Sequence, residues 1–354
     1  MNLDLTGRQQ NILLAIVLDY IANADPVGSR TISKKYELGL SPATIRNDMA
    51  ELEEKGLLVQ PHSSAGRIPS ELGYRSFVDF LMEKHLLSED EVQKIKAINN
   101  VDTSNIEFLM EQSARVLSAI SNSVSIIQFP EANNEFVKHF QILPLSDTMF
   151  VIVLVSNTGK VTDYKIKSDS PVDETFFSHI TNYFNEQLVG IPISRLKDKL
   201  KQILKNNTEF DDIINIIYQN IGKFFDNKKN KFKFVGTSNL LREPEFIEKN
   251  KAHSIIDFFE EEENTNELSE IMGLINCEID SIGTKILIGK EIKIEKLKDC
   301  SIIINSYKIG DSINGAIGIL GPTRMHYGKS IAAIEEMSKN ISTLLYDIFG
   351  FNNK

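Results

Sequence analysis

Thr44, Arg46 and Asn47 sit close together in the stretch SPATIRNDMAELEEKG, residues 41–56, and each can hydrogen-bond outward from a helix. Ser41 is placed to cap that helix, since its hydroxyl can accept from a free first-turn amide, and Pro42 at the first helical position has its dihedral preset. Gly56 follows Lys55 where a left-handed residue usually ends a helix, which predicts a helix body from Ala43 to Lys55. Ile45, Met49 and Leu52 recur at i, i+4 and i+7 and must face a core. At about 100° per residue, Ala43 and Asn47 then point directly away, with Thr44 and Arg46 on the flanks. Small and hydrogen-bonding residues are what a groove-reading face needs.

The flanking residues supply the elements that would hold such a face. Upstream, Ser29 is expected to cap a short helix with Ile32 and Tyr36 inward, and Glu37 to Leu40, with Gly39, to make the turn of a helix-turn-helix. Downstream, Leu57 to Val59 reads as a strand and Pro61 to Gly66 as a turn-rich loop leading to Arg67 and Ile68, a wing. Arg67 beside a glycine would either enter a minor groove or meet a phosphate, because guanidinium is flat and permanently charged. The alternative is an ordinary amphipathic helix pair with a surface loop. Arg46 could equally form an ion pair with an acid of its own domain.

Other chemistry has little to stand on. The six histidines, His62, His85, His139, His179, His253 and His326, lie far apart with no HExxH or HxH spacing, which speaks against a metal. No GxxxxGK[ST] phosphate loop occurs. Gly315, Gly318 and Gly321 are spaced three apart, but Pro322 follows in place of a helix, so the preferred reading is a tightly packed strand before a turn. Arg324 would bind an anion or partner, or pair locally; the local pair is preferred. No catalytic constellation and no cofactor site is expected. Cys277 and Cys300, without a CxxC, read as core residues of a reducing cytoplasm.

With 354 residues the chain calls for about two or three domains. Its 42% hydrophobic and 25% charged residues suit a globular protein. No run approaches the roughly 18 apolar residues of a membrane span, and MNLDLTGRQQ lacks the pattern of a secretion signal, so a cytoplasmic location and no membrane partner are expected. The net charge of −10 opposes nucleic-acid binding only as a whole-chain average. Between Ser29 and Arg67 six basic residues face five acidic ones, a balance of +1. So weak a footprint predicts modest affinity per subunit and two copies acting together.

In chain order, Thr6 to Gln9 and Ser88 to Glu91 are capping boxes, and Ser70 and Ser104 are further caps. Apolar faces at Ile12 to Ile21 and at Tyr74, Phe77, Val78 and Leu81 complete a winged helix-turn-helix domain over residues 1–84, followed by a connector over 85–103. Runs at Val137 to Leu143, Met149 to Val155 and Val161 to Ile166, with turns between them, predict an antiparallel meander. Three helical patterns follow, the last at Ile213, Ile217, Ile221 and Phe224, with a stripe wide enough to face either this chain or a second subunit. Beyond the basic loop 227–231 and the solvated acidic run 260–263, strands recur before a closing helix, Ser330 to Ile348. The fold class is multidomain α/β (α+β): a mixed α/β domain over 104–131 and 229–354, interrupted by an insert over 132–228.

SPATIRNDMAELEEKGLLVQPHSSAGRIPSELGYR and SIIINSYKIGDSINGAIGILGPTRMHYGKSIAAIE, in that order, resemble the heat-inducible transcription repressor HrcA family. The first sixteen residues alone also resemble metabolite-responsive repressors of the DeoR type. The HrcA resemblance implies a GAF-like α/β domain and an inserted dimerisation module. It implies a homodimer that binds double-stranded DNA at an inverted-repeat operator of the Hsp70 and GroE chaperone operons, in a bacterial cytoplasm and at the nucleoid when bound, with activity dependent on the GroE chaperonin. Carried over by position, Ser41, Thr44, Arg46 and Asn47 would serve the groove and its phosphates, Arg30 and Lys34 the backbone, and Arg67 the wing. Asn47 is the adenine reader on chemical grounds. The alternative is a DeoR-like repressor with a small ligand in the GAF-like domain.

Overall fold

In the computed structural model the described residues are 5–100, 106–129, 131–132, 136–157, 161–167, 174–206, 215–218, 232–261, 267–268, 270–272, 283–309 and 313–348. The first helix, α1 (Gly7–Asn23), starts in the capping box of Thr6 and Gln9 and stops at Ala24, whose φ of 61° is left-handed. Helix α2 (Ser29–Lys35) is capped by the Gly28 backbone; Ser29, expected as the cap, is instead its buried first residue. Glu37 and Gly39, at φ 45° and 65°, turn the chain into α3 (Pro42–Glu54). Strands β1 (Leu58–Val59) and β2 (Ile68–Pro69) pair antiparallel as the base of the wing. Helix α4 (Glu71–Ser76), capped by Ser70, runs into a π-helical turn, Phe77–Leu81.

The connector is α5 (Glu89–Lys96), begun by the Ser88–Glu91 capping box, and α6 (Ile106–Ser121) follows. The cap expected at Ser104 lies outside the described residues. Strands β3 (Val124–Gln128) and β4 (Glu131–Ala132) enter a large sheet, and the chain then leaves it for the insert. There β5 (Val137–Ser146), β6 (Met149–Ser156) and β7 (Val161–Lys167) form an antiparallel meander. Its inner face packs on α7 (Glu174–Leu188) and α8 (Leu196–Asn206) through Phe140, Ile152, Phe184 and Leu200, a core separate from the rest of the protein. Helix α7 also blocks the edge of β5: Asn185 accepts from the Phe140 amide at 2.9 Å and donates to its carbonyl at 2.7 Å, which removes a sticky strand edge. Of the last expected helical pattern only 215–218 is described, with Ile217 in this core; Ile213, Ile221, Phe224 and the loop 227–231 lie outside.

The chain returns through β8 (Phe232–Val235), α9 (Thr237–Leu241), α10 (Lys249–Glu260), β9 (Thr284–Ile288), β10 (Cys300–Ile309) and β11 (Ile313–Pro322) to a final helix, α11 (Tyr327–Ile348). The sheet order is β8-β3-β11-β10-β9, with β4 beside the start of β11, and every pair is antiparallel. Pleating sends Ile303, Ile317 and Ile319 to one face and Ile302, Ile304 and Leu320 to the other. The second face is covered by Leu240, Phe258, Leu268 and Met272. Gly315 lies opposite Tyr307, and a Cβ there would sit 2.2 Å from the Tyr307 hydroxyl, so this glycine makes room for a cross-strand ring. The three-apart glycines are therefore strand residues. Cys300 is buried on the same sheet, and Cys277 lies outside the described residues.

The first face is not closed by α6 and α11 alone. Its core runs on without a break into Ile12, Ile16, Ile45 and Leu52 of the winged helix. Arg324, 11% exposed, holds Glu245 at 2.6 Å and Glu243 at 2.5 Å and donates to the Ile21 carbonyl at the end of α1. Arg75 of α4 meets Glu291 and the Ile286 carbonyl, and the Tyr327 ring lies 6.1 Å from Tyr74 and 6.5 Å from Phe77. Residues 71–81, whose apolar face was expected to pack on the first domain's other helices, thus also dock that domain onto the second.

Glu91 at the start of α5 pairs with Lys329 of α11 at 2.7 Å. That ammonium, with the Ser88 amide, pulls its carboxyl from 4.5 to about 2. A carboxyl depressed in the folded state stabilises fully above its unfolded value and loses that contribution as the pH falls through its folded one. The difference in urea midpoint between wild type and Glu91→Gln is therefore expected to be constant at neutral pH and to shrink steadily below 4.5; a pH-independent difference would show the pair to be inert.

Candidate nucleic-acid interface

The sharp start of α3 fixes the outward face. Ser41 Oγ accepts from the Thr44 amide at 3.1 Å and lies 2.9 Å from Thr44 Oγ1, so both hydroxyls are engaged at the cap. Behind it Ile45, Met49 and Leu52 are buried, and Ala43, Arg46, Asn47 and Ala50 are exposed. Arg30 and Lys34 of α2 are also exposed. Among the described residues Arg30, Lys34 and Arg46 have no ion-pair partner, so these three cations stand free beside the same helix face.

The acids of α3 are disposed differently. Asp48, at i+3 from Ile45, is 1% exposed and is paired with Arg8 of α1, whose Nη2 donates to Oδ1 at 2.9 Å and whose Nε lies 2.8 Å from Oδ2. Gln9 donates to Glu51 at 2.6 Å while accepting from Lys55 at 3.3 Å. Glu53 pairs with Arg67 at 2.8 Å. A carboxylate bound to a guanidinium projects little field, so Asp48 and Glu53 oppose an approaching phosphate less than their charge suggests, whereas Glu51 and the exposed Glu54 keep theirs. Residue counting between Ser29 and Arg67 missed this, because Arg8 lies outside that window. The signal available was the place of Asp48 inside the apolar stripe, where a charge needs a partner.

Arg67 follows the turn-rich loop, as expected, and is not at the tip of the wing. It immediately precedes β2 at the wing base, is 19% exposed, and its Nε is committed to Glu53. The exposed tip is His62, Ser63 and Ser64, and Gln60 braces that loop by donating to the carbonyls of Ser63 and Ala65, both at 3.0 Å. Among the described residues no group of three or more His, Cys, Asp or Glu side chains could hold a metal, and all six histidines are exposed and scattered. Among the described residues no helix is long and apolar enough to cross a membrane.

Residues 17–71 match the DeoR-like helix-turn-helix domain, and residues 107–331 match the HrcA protein C terminal domain. A heat-inducible transcription repressor HrcA from Carboxydothermus hydrogenoformans is 38% identical over 96% of this chain and 97% of its own, and one from Brevibacillus brevis is 35% identical over 98% and 99%. The chain belongs to the HrcA family. A crystal structure of a hypothetical protein, 22% identical, superposes on this chain with a TM-score of 0.68 over 98% of it and all of that chain, which shows a shared fold. The HrcA-family match includes β11 and the turn with Arg324, the residues that join this domain to the winged helix.

Ser41→Ala removes the hydroxyl that caps α3. Urea unfolding without DNA is expected to show a loss of about 1 kcal/mol, the usual worth of a side-chain cap; no change would mean that Pro42 alone starts the helix.

Proposed function

We propose that this chain represses transcription by binding double-stranded DNA, as a homodimer, at an inverted-repeat operator of the Hsp70 and GroE chaperone operons, and that the GroE chaperonin maintains its active form. The observation that carries the DNA-binding reading is the exposed face of α3: Asn47, Arg46 and Ala43 outward beside the unpaired Arg30 and Lys34, on a helix whose acids Asp48 and Glu53 are paired with Arg8 and Arg67. In this reading α3 enters the major groove, Asn47 addresses an adenine edge, Ser41, Thr44 and Arg46 serve the groove and its phosphates, and Arg30 and Lys34 contact the backbone. An inverted repeat asks for two such helices related by a two-fold axis. The names of the relatives, and the motifs shared with them, support repression and its link to heat.

The dimer is proposed to form through the insert. The outer face of its meander carries Met149, Val151, Val153 and Val155 along the central strand, flanked by Leu143 and Val161, which are 45% and 61% exposed. Apolar rows of this kind on a sheet face call for a cover, and a second copy provides one by two-fold symmetry. Val153→Lys leaves the inner core untouched and is expected to give monomers by sedimentation equilibrium with weakened operator binding. A variant that stayed dimeric would place the interface elsewhere.

The reading is tested by fluorescence anisotropy of the full-length protein with a duplex carrying the inverted repeat upstream of the host's chaperone operons, against a scrambled duplex, at several salt concentrations and with or without GroE. Preference for the repeat, with a larger active fraction when GroE is present, is expected; equal binding to both duplexes would overturn it. Asn47→Ala should weaken binding to the repeat by about 1–3 kcal/mol with an unchanged salt slope, whereas Arg46→Ala should lower that slope by about 1.

A further inference from the structure

Arg67 joins three separate stretches of chain. Its backbone forms an antiparallel bridge with Val27 in the loop between α1 and α2, each amide donating to the other's carbonyl at 2.9 Å. Its Nε donates to Glu53 on the last turn of α3 at 2.8 Å. It leads directly into β2, one side of the wing. The neighbouring Gly66 is what allows this: a Cβ there would lie 2.4 Å from the Val27 carbonyl oxygen, closer than two such atoms can approach, so a side chain at this position would push the bridge apart. The Ala65-Gly66-Arg67 stretch therefore presses the wing base against the loop between α1 and α2 and against α3 together. Side-chain exposures of 19% for Arg67 and 34% for Glu53 make this a half-buried pair, whose charged hydrogen bond fixes a direction as well as an attraction.

We infer that Arg67 is a positioning residue for DNA binding: it sets the angle between wing and reading helix through Glu53 and Val27, and does not contact DNA. The inference rests on the proposed DNA-binding reading and changes what the wing arginine does within it. An arginine on a phosphate and an arginine on Glu53 predict different behaviour. The first contributes its charge to counterion release, so its loss lowers the salt slope by about 1 whatever becomes of Glu53. The second contributes geometry, so its loss weakens binding at every salt concentration alike and is repaired when the pair is rebuilt with the charges exchanged.

The test compares full-length wild type, Arg67→Ala, Arg67→Glu, Glu53→Arg and the exchanged double variant Arg67→Glu/Glu53→Arg on the inverted-repeat duplex, with anisotropy read across salt concentrations and folding checked by circular dichroism and thermal melting. Arg67→Ala is expected to weaken binding roughly tenfold with an unchanged salt slope, a size typical of coupled charged pairs. Arg67→Glu should be weaker still, and the exchanged pair should recover most of the loss. Gly66→Ala, which alters no charge, should weaken binding in the same salt-independent way. A fall in slope for Arg67→Ala, or an exchanged pair as weak as Arg67→Glu while folded, would overturn the inference in favour of a direct phosphate contact. If wild type itself showed no preference for the repeat over the scrambled duplex, the repressor reading would fail and this inference with it, a result told apart by the wild-type arm.

Discussion

Withdrawing a guanidinium from water costs more than almost any other step in folding, and Arg324 is withdrawn nearly completely because three acceptors from distant parts of the chain meet it. Glu243 and Glu245 come from the stretch after α9. The Ile21 carbonyl comes from the end of α1, where the helix dipole favours a cation. Removing either side would strand charges in a shielded place, so the two domains hold each other in a defined relation. Tyr327 adds to this from the same turn: its hydroxyl bonds the Thr323 carbonyl at 2.6 Å and lies 2.7 Å from Ser301 Oγ, and its ring is set against Tyr74 and Phe77. The short motif GPTRMHYG is thus the hinge-pin of the molecule, and it earns its specificity from packing and charge at once.

The reading helix depends on a similar economy at smaller scale. Its inner face is held by an apolar stripe and one buried carboxylate, and its outer face is left with amide, hydroxyl and guanidinium groups. Arg8 and Gln9, beside the capping box that starts α1, reach across to Asp48 and Glu51, so the start of one helix orients the middle of another. An acidic protein can present a cationic surface in this way, because Asp48 and Glu53 are each paired with an arginine while Arg30, Lys34 and Arg46 stand free.

The insert answers to different constraints. It has its own core and a strand edge sealed by Asn185, and between β4 and β8 the chain leaves the large sheet and returns to it. Its outer sheet face carries more apolar surface than a solvated sheet usually keeps, and the helices that cover its inner face do not reach it. A module of this kind can serve assembly without disturbing the joint at Arg324, since its core shares none of the residues of that joint.

Local pattern by itself determined the elements: the caps at Thr6, Ser41, Ser70 and Ser88, the meander, the late strands, and the outward placement of Ala43 and Asn47 all follow from hydrogen-bonding valence and the periods of helix and strand. Where a residue's role depends on something far away in the chain, the local pattern misled or was silent. Ser29 looked like a cap because serine usually is one, but burial had claimed it. For Arg67 the pattern offered a groove or a phosphate and was silent about Glu53, which only the folded chain brings to 2.8 Å. Asp48 and Arg8 are 40 residues apart, Arg324 and Ile21 are 303 apart, and no periodicity connects them. Short-range sterics write secondary structure into sequence, whereas the partner of a buried charge is chosen only when the chain has closed around it.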